Sequence, residues 1–220
     1  MIVTLDGPAG AGKSSAARDL AARLGWCYMD TGAMYRAVAL VALEQAVPLD
    51  DPARLAAVAE SLAIAFRDGR VFVGDRDVSS EIRTPQVTAA TRPVADAPAV
   101  RTVMKDLQRR LAAGIDVVTE GRDQGSVVFP HAELKVFLTA SPEERARRRH
   151  REEAARGAAV SLADVLVAQN RRDDGDRTRA VGAMVAAADA VLVETDGLTR
   201  EAVVERLVRL VEERRGPQRA

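Results

Sequence analysis

The octapeptide GPAGAGKS at residues 7–14 has the residue types and spacing to bind a polyphosphate. Gly7, Gly12, Lys13 and Ser14 satisfy G-x-x-x-x-G-K-[ST], with an apolar run before the motif and a helical pattern after it. Glycines let backbone N–H groups curl around an anion, and the following helix aims its positive end at the same place. The candidate triphosphate-binding residues are therefore Gly7, Pro8, Ala9, Gly10, Ala11, Gly12, Lys13, Ser14 and Ser15. Lys13 can reach β- and γ-phosphates, and the Ser14 hydroxyl can ligate Mg²⁺. The rest of the chain draws its positive charge from arginine, the only other lysines being Lys105 and Lys135. Lysine at 13 therefore points to a job for a compact ammonium.

A second charged group ends another apolar run. In VVTEGRDQGSVVFP, residues 117–130, Arg122 stands beside Asp123. Such neighbours are either a solvated ion pair, worth about 0–1 kcal/mol, or two readers of a polar ligand. Thr31 and Arg36 of DTGAMYR also follow a strand-like run. If a γ-phosphate passes to a small phosphorylated acceptor, arginines belong at the C-terminal ends of strands, where their forks match phosphate oxygens. An aspartate would repel that phosphate and is better used on a base. Cytosine offers an amino donor at N4, where uracil offers an acceptor.

The phosphate loop alone does not separate kinases from switches and motors. The guanine-reading string N-K-x-D is absent, and the run at 117 ends in E-G-R-D rather than Asp-Glu or Asp-Asp. Both features favour a small kinase. Two other readings stay open on these residues: a kinase for UMP or a hydroxyl-bearing sugar or acid, and a module that senses ATP without turnover.

Strand-like runs at 2–5, 27–30, 117–119, 135–138 and 190–193 alternate with helical patterns, which predicts a parallel sheet with helices on both faces. Ser141-Pro142-Glu143-Glu144 carries the signals of a helix start, and Thr199 can cap a final helix with Val203, Val204, Leu207, Leu210 and Val211 on one face. Residues 62–78 break the alternation and read as antiparallel strands, with turns at Asp68-Gly69 and Gly74-Asp75, between helices at 52–60 and 98–113. The tail, 216–220, is expected to be disordered.

Composition excludes several classes. Lys+Arg and Asp+Glu each total 32, so no nucleic-acid polymer is expected as partner. One cysteine, Cys27, cannot form an internal disulfide, which fits a reducing compartment. Residues 1–7 lack a basic leader, and the longest apolar run, AVALVAL, is far short of the roughly 20 residues that span a bilayer. A cytoplasmic, soluble, monomeric protein is expected, with no membrane partner. The arginine-rich stretch at 143–157 is interleaved with glutamates at helical spacing. It reads either as a solvated helix with internal pairs or as a lid, with Arg147, Arg148 and Arg151 as candidates to close over a triphosphate. His131 and His150 do not form a metal pattern.

Taken together, LDGPAGAGKSS, DTGAMYRAVAL, VSSEIRTPQV, EGRDQGSVVFP, VFLTAS, RRDDGDRTRAV and AADAVLVET resemble the bacterial cytidylate kinases nearly end to end. The resemblance implies a P-loop NTPase fold: a five-stranded parallel sheet flanked by helices, with a small antiparallel insert in the monophosphate-binding region and a helical lid. It implies one kinase domain, with core at 1–50, 114–142 and 176–215, the insert at about 51–113 and the lid at about 143–175. The implied activity is transfer of the γ-phosphate of ATP to CMP or dCMP, with Mg²⁺, in pyrimidine nucleotide metabolism. Carried over by motif, Thr31, Arg36 and Arg122 hold the acceptor phosphate, while Asp123 and Arg101 read the cytosine. Arg172, Asp176 and Arg179 hold sugar and phosphates, and Lys13, Arg122 and Arg172 are the catalytic set. The chain departs from the family pattern in three places. Arg92 replaces a base-touching serine, with Thr91 as its neighbour; Gln124 replaces a methionine; and Gly175 replaces an arginine.

Overall fold

The computed structural model describes residues 1–67, 69–155, 157 and 159–216. Asp68 of the expected first hairpin turn, and residues 217–220 of the expected disordered tail, lie outside the described residues. In chain order the elements are β1 (Ile2–Asp6), α1 (Lys13–Leu24), β2 (Cys27–Asp30), α2 (Thr31–Glu44), α3 (Pro52–Ser61), β3 (Ile64–Arg67), β4 (Arg70–Val73) and β5 (Arg76–Asp77). They continue with α4 (Pro85–Asp96), α5 (Pro98–Ala112), β6 (Val117–Glu120), β7 (Leu134–Thr139), α6 (Pro142–Ala155), α7 (Leu162–Thr178), β8 (Val191–Glu194) and α8 (Arg200–Arg215). The chain divides into two compact units, one of Met1–Cys27 with Asp116–Ala220 and one of Tyr28–Ile115.

The parallel sheet has the strand order β2-β6-β1-β7-β8, and the first unit is built on its strands β6, β1, β7 and β8. β1 runs beside β6 with Leu5 opposite Glu120, and beside β7 with Asp6 opposite Phe137. Val3, Leu5, Val117, Val118, Leu134, Val136 and Leu138 are buried. That is why these strands read as largely apolar rather than alternating, interrupted only by the buried Thr4, Thr119 and Lys135. α1 packs on α8, with Leu20, Val203, Leu207 and Val211 buried. Helix starts follow the capping signals: Thr199 accepts from Ala202 N, and Ser141 Oγ from Glu144 N at 3.3 Å. Parallel register brings Asp6, Glu120 and Thr139 to one end of the sheet, the end where ligands of open α/β sheets collect.

The second unit is mostly helical. α2, capped by Asp30, buries Met34, Ala37, Val38 and Val41 and packs against α4, while α3 packs against α5. The expected antiparallel insert is present as the sheet β3-β4-β5. α4 was not visible in the sequence because prolines bracket and interrupt it. Pro85 occupies the first turn, where a missing N–H costs nothing, Thr84 supplies the cap, and Pro93 lies within the helix. No described helix is long and apolar enough to cross a membrane.

Candidate active site

The loop between β1 and α1 takes the shape its glycines permit. Gly7, Gly10 and Gly12 have φ of 136°, 77° and 90°. A side chain at Gly7 would collide with the Leu138 carbonyl oxygen, 2.0 Å from where its Cβ would stand. α1 begins after Gly12 with no side-chain cap, so no side chain of the cap residue competes for the helix's first N–H groups. Lys13 is buried, 4 % exposed, and its Nζ donates to the Pro8 carbonyl at 2.7 Å. Burial pushes its pKa down to about 7, helped by the Arg122 and Arg172 charges and opposed by Glu120 and Asp6.

Ser14 Oγ donates to Glu120 Oε1 at 2.7 Å. Glu120 does not stand out in the sequence because this strand ends in a single carboxylate rather than two adjacent ones. Its signal was present all the same, a buried carboxylate at the C-terminus of an apolar strand in register with β1. A hydroxyl and a carboxylate together offer the oxygen donors a hard cation such as Mg²⁺ takes. Among the described residues no group of three or more His, Cys, Asp or Glu side chains is arranged to hold a metal.

The Arg122–Asp123 neighbours resolve into two separate positions. Arg122 Nε donates to Asp176 Oδ2 at 2.9 Å, and its Nη1 to the Gly121 carbonyl. Arg179 Nη2 donates to the other Asp176 oxygen at 2.7 Å. Burial raises the Asp176 pKa, but the Arg122 and Arg179 charges outweigh it and hold the carboxyl below its usual range. Arg172, exposed on α7, adds to that field. Asp123 is 5 % exposed and opens a short π-turn, Gln124–Val128, whose Val127 and Val128 N–H groups bond to its carbonyl. The turn is pinned from behind. Asp6 accepts from Gln124 N at 2.8 Å and Gly125 N at 2.7 Å. Its own pKa is pushed up to about 6 by burial, against those two hydrogen bonds. Gln124, one of the departures, sends its side chain inward, where its Oε1 accepts from Thr119 Oγ1.

The arginine-rich stretch is helix α6, and its candidates differ. Arg148 reaches Thr195 Oγ1 at 2.9 Å and the Thr195 carbonyl at 2.7 Å, besides Glu144. Arg147 and Arg151 are exposed and pair with Glu144. A cavity of about 530 Å³ is lined by Glu144, Arg148, Arg151, Gly197, Leu198 and Thr199. Arg148 also stands near the phosphate loop, its Nη1 3.9 Å from where a Cβ on Gly12 would be. The loop after β8 was not singled out from sequence, since its contribution is shape and backbone rather than a charged motif.

Within the second unit, Thr31 is buried in the first turn of α2. Arg36 Nη1 donates to Thr88 Oγ1 at 2.7 Å and to the Ile82 carbonyl, tying α2 to α4 and to the EIRTP segment. Arg101 is 6 % exposed, donates to the Ala95 carbonyl and lies 5.6 Å over the Tyr35 ring. Arg92, in the serine position, is exposed and pairs with Asp96 at 3.5 Å one turn on. Thr91 gives its hydroxyl to the Val87 carbonyl at 2.6 Å, a back-bond along its own helix.

The model of the cytidylate kinase family matches residues 3–213. This chain belongs to that family. It is 52% identical over 213 residues to the cytidylate kinase of Rhodopirellula baltica, covering 97% of this chain and 93% of that one. It is 50% identical to the cytidylate kinase of Pelotomaculum thermopropionicum, over 94% and 93% of the two chains. It is 48% identical to that of Mycobacterium leprae, over 98% and 97%. Among solved structures it shares its fold with a shikimate kinase from Bacteroides thetaiotaomicron, at a TM-score of 0.51 and 13% identity over 96% and 98% of the chains. The five-stranded parallel sheet with its helices is thus the P-loop kinase fold, carrying here the three-stranded antiparallel insert.

Proposed function

We propose that the protein is an ATP-dependent nucleoside monophosphate kinase that transfers the γ-phosphate of ATP to CMP or dCMP, giving ADP and CDP or dCDP. The observation that carries the reading is family membership over nearly the whole length, joined to a complete phosphate loop with a buried lysine. Residues 7–15 take the triphosphate, and the cavity beside Arg148 and the loop after β8 receives the nucleoside end of ATP. Ser14 would hold Mg²⁺, with Glu120 beside it, and the ion supplies neutralisation of charge on the β- and γ-oxygens. Residues about 51–113, within the second unit, form the monophosphate-binding region, and residues about 143–175, within the first, form the lid.

The acceptor oxygen belongs to a phosphate whose second pKa is near 6, so at neutral pH it is already ionised and needs no general base. Catalysis then consists of in-line positioning and charge neutralisation. Lys13 neutralises the transferring phosphoryl group. Arg122 and Arg172 hold the acceptor and transferred phosphates, with Thr31 and Arg36 on the acceptor phosphate. Asp123 and Arg101 read the cytosine. Asp176, oriented by Arg122 and Arg179, accepts from ribose hydroxyls.

The activity is tested by product analysis. Incubation with Mg·ATP and CMP should yield CDP and ADP in equal amounts; ADP without CDP would contradict the transfer. Base reading is tested with Asp123→Asn, because an amide can present either a donor or an acceptor. The CMP/UMP ratio of kcat/KM should fall about tenfold or more, within the roughly 1–3 kcal/mol of a good base contact. An unchanged ratio would put base reading elsewhere.

Lys13 gives a pH prediction. Its folded pKa of about 7 leaves it largely uncharged at about pH 8, and a bound triphosphate restores the charge. ATP binding there should take up about one proton, and ATP affinity should weaken as pH rises above about 7. Calorimetry in buffers of different ionisation enthalpy reads the uptake directly; none at about pH 8, where ATP itself is fully ionised, would contradict the shifted lysine.

A further inference from the structure

A buried ion pair outside the substrate-binding set has the phosphate loop in its grip. Arg145 of α6 is 2 % exposed and Asp173 of α7 is 1 % exposed, and the two are joined through Arg145 Nη1. Both partners also hold Ala9. Asp173 Oδ1 accepts from Ala9 N at 3.2 Å, and Arg145 Nη1 donates to the Ala9 carbonyl at 2.9 Å. Arg145 Nε is anchored on the Ala140 carbonyl at 3.0 Å, at the end of β7. Gly10 is pressed against the same helix. A Cβ there would lie 3.1 Å from Arg145 Cβ and carbonyl oxygen, and 3.3 Å from Gln169 Oε1. Gln169 in turn donates to the Pro142 carbonyl at 3.1 Å, closing α7 onto the start of α6.

We propose that Arg145 and Asp173 are positioning residues, a clasp that sets the apex of the phosphate loop and fixes the register of α7 against it. A buried ion pair is an expensive way to join two helices, since well-packed apolar residues often do as well or better. What apolar residues cannot do is satisfy the N–H and C=O of a loop residue. Ala9 spends its N–H on Asp173, which leaves the later N–H groups of the loop to meet a phosphate. Asp173 directly follows Arg172 and precedes Asp176 by three residues on the same helix. Holding Asp173 on Ala9 therefore gives Arg172, Asp176 and Arg179 a fixed height relative to the loop. Neither clasp residue touches substrate in this account; each acts through the loop and the helix.

The inference rests on reading residues 7–15 as the ATP site, so ATP affinity is measured alongside turnover. The double variant Arg145→Met with Asp173→Leu removes both charges together, so it leaves no unpaired buried charge and should still fold, with a Tm lowered by the unpartnered Ala9 and Ala140 backbone groups. Its ATP Kd and KM should rise, and kcat should fall by about 10²-fold, the scale of a misplaced reacting group. A folded double variant with wild-type ATP affinity and kcat would make the pair merely structural and overturn the proposal. If the double variant does not fold, Arg145→Lys, which keeps the charge beside Asp173 but loses the planar fork that holds the Ala9 and Ala140 carbonyls, should show the same rise in ATP KM with lowered kcat; unchanged values overturn it. Hydrogen exchange on the unaltered protein gives a check that needs no variant, because the Ala9 amide must be protected without nucleotide. If acceptor-dependent turnover is absent from the wild type, the assigned activity fails, while the ATP-affinity comparison still decides the clasp.

Discussion

Arg122→Ala is expected to lower kcat by about 10³-fold and to raise the KM for CMP, the loss typical of an arginine that stabilises a transferring phosphoryl group. The geometry gives that residue more than one link to the chemistry. Its Nε bonds to Asp176 Oδ2 at 2.9 Å, and after burial its charge is the largest influence lowering the Lys13 pKa. Removing it should therefore leave Asp176 to Arg179 and the field of Arg172, and let the Lys13 pKa rise. The variant should bind ATP with proton uptake shifted to higher pH, a signature that loss of acceptor contacts alone would not give. Arg122→Lys should recover only part of the rate, since an ammonium restores charge but not the planar fork. Steady-state kinetics with both substrates, at matched Tm, checks this; unchanged kcat and KM in the alanine variant would remove Arg122 from the site.

Lys13→Met is expected to cost about 10²–10³-fold in kcat, comparable to deleting one preorganised donor to a developing charge. Methionine keeps the buried volume, so the loss should come with little change in Tm. The wild-type ammonium donates to the Pro8 carbonyl. Its partial discharge when empty means that part of the binding free energy of ATP goes into recharging it. The variant should lose both the rate and the proton uptake on ATP binding. Retention of either would contradict the assignment of Lys13 as the group that neutralises the triphosphate.

Much of this was legible in the sequence, and the reasons are physical. A phosphate loop depends on backbone conformations that only glycine adopts comfortably, so Gly7, Gly10 and Gly12 had to be written into the chain. Buried parallel strands had to be apolar on both faces, which made the runs at 2–5, 117–119 and 135–138 visible. Features made by long-range pairing were not. Arg122 meets Asp176 across fifty-four positions of chain, and Ser14 meets Glu120 across more than a hundred, and no local spacing encodes either. Arg145 looked like one more arginine of a solvated helix, yet it is the one whose side chain turns inward to Ala9. α4 was hidden by prolines it tolerates. The exposed Arg92, standing where the family pattern has serine, pairs with Asp96 along its own helix.

The most direct test of the central claim is an ADP-release assay with Mg·ATP in which CMP, dCMP, UMP, AMP and GMP are offered one at a time. Turnover should be strongest with CMP or dCMP, with Asp123 and Arg101 reading the base despite Arg92. ADP release that does not depend on any of these acceptors would contradict it.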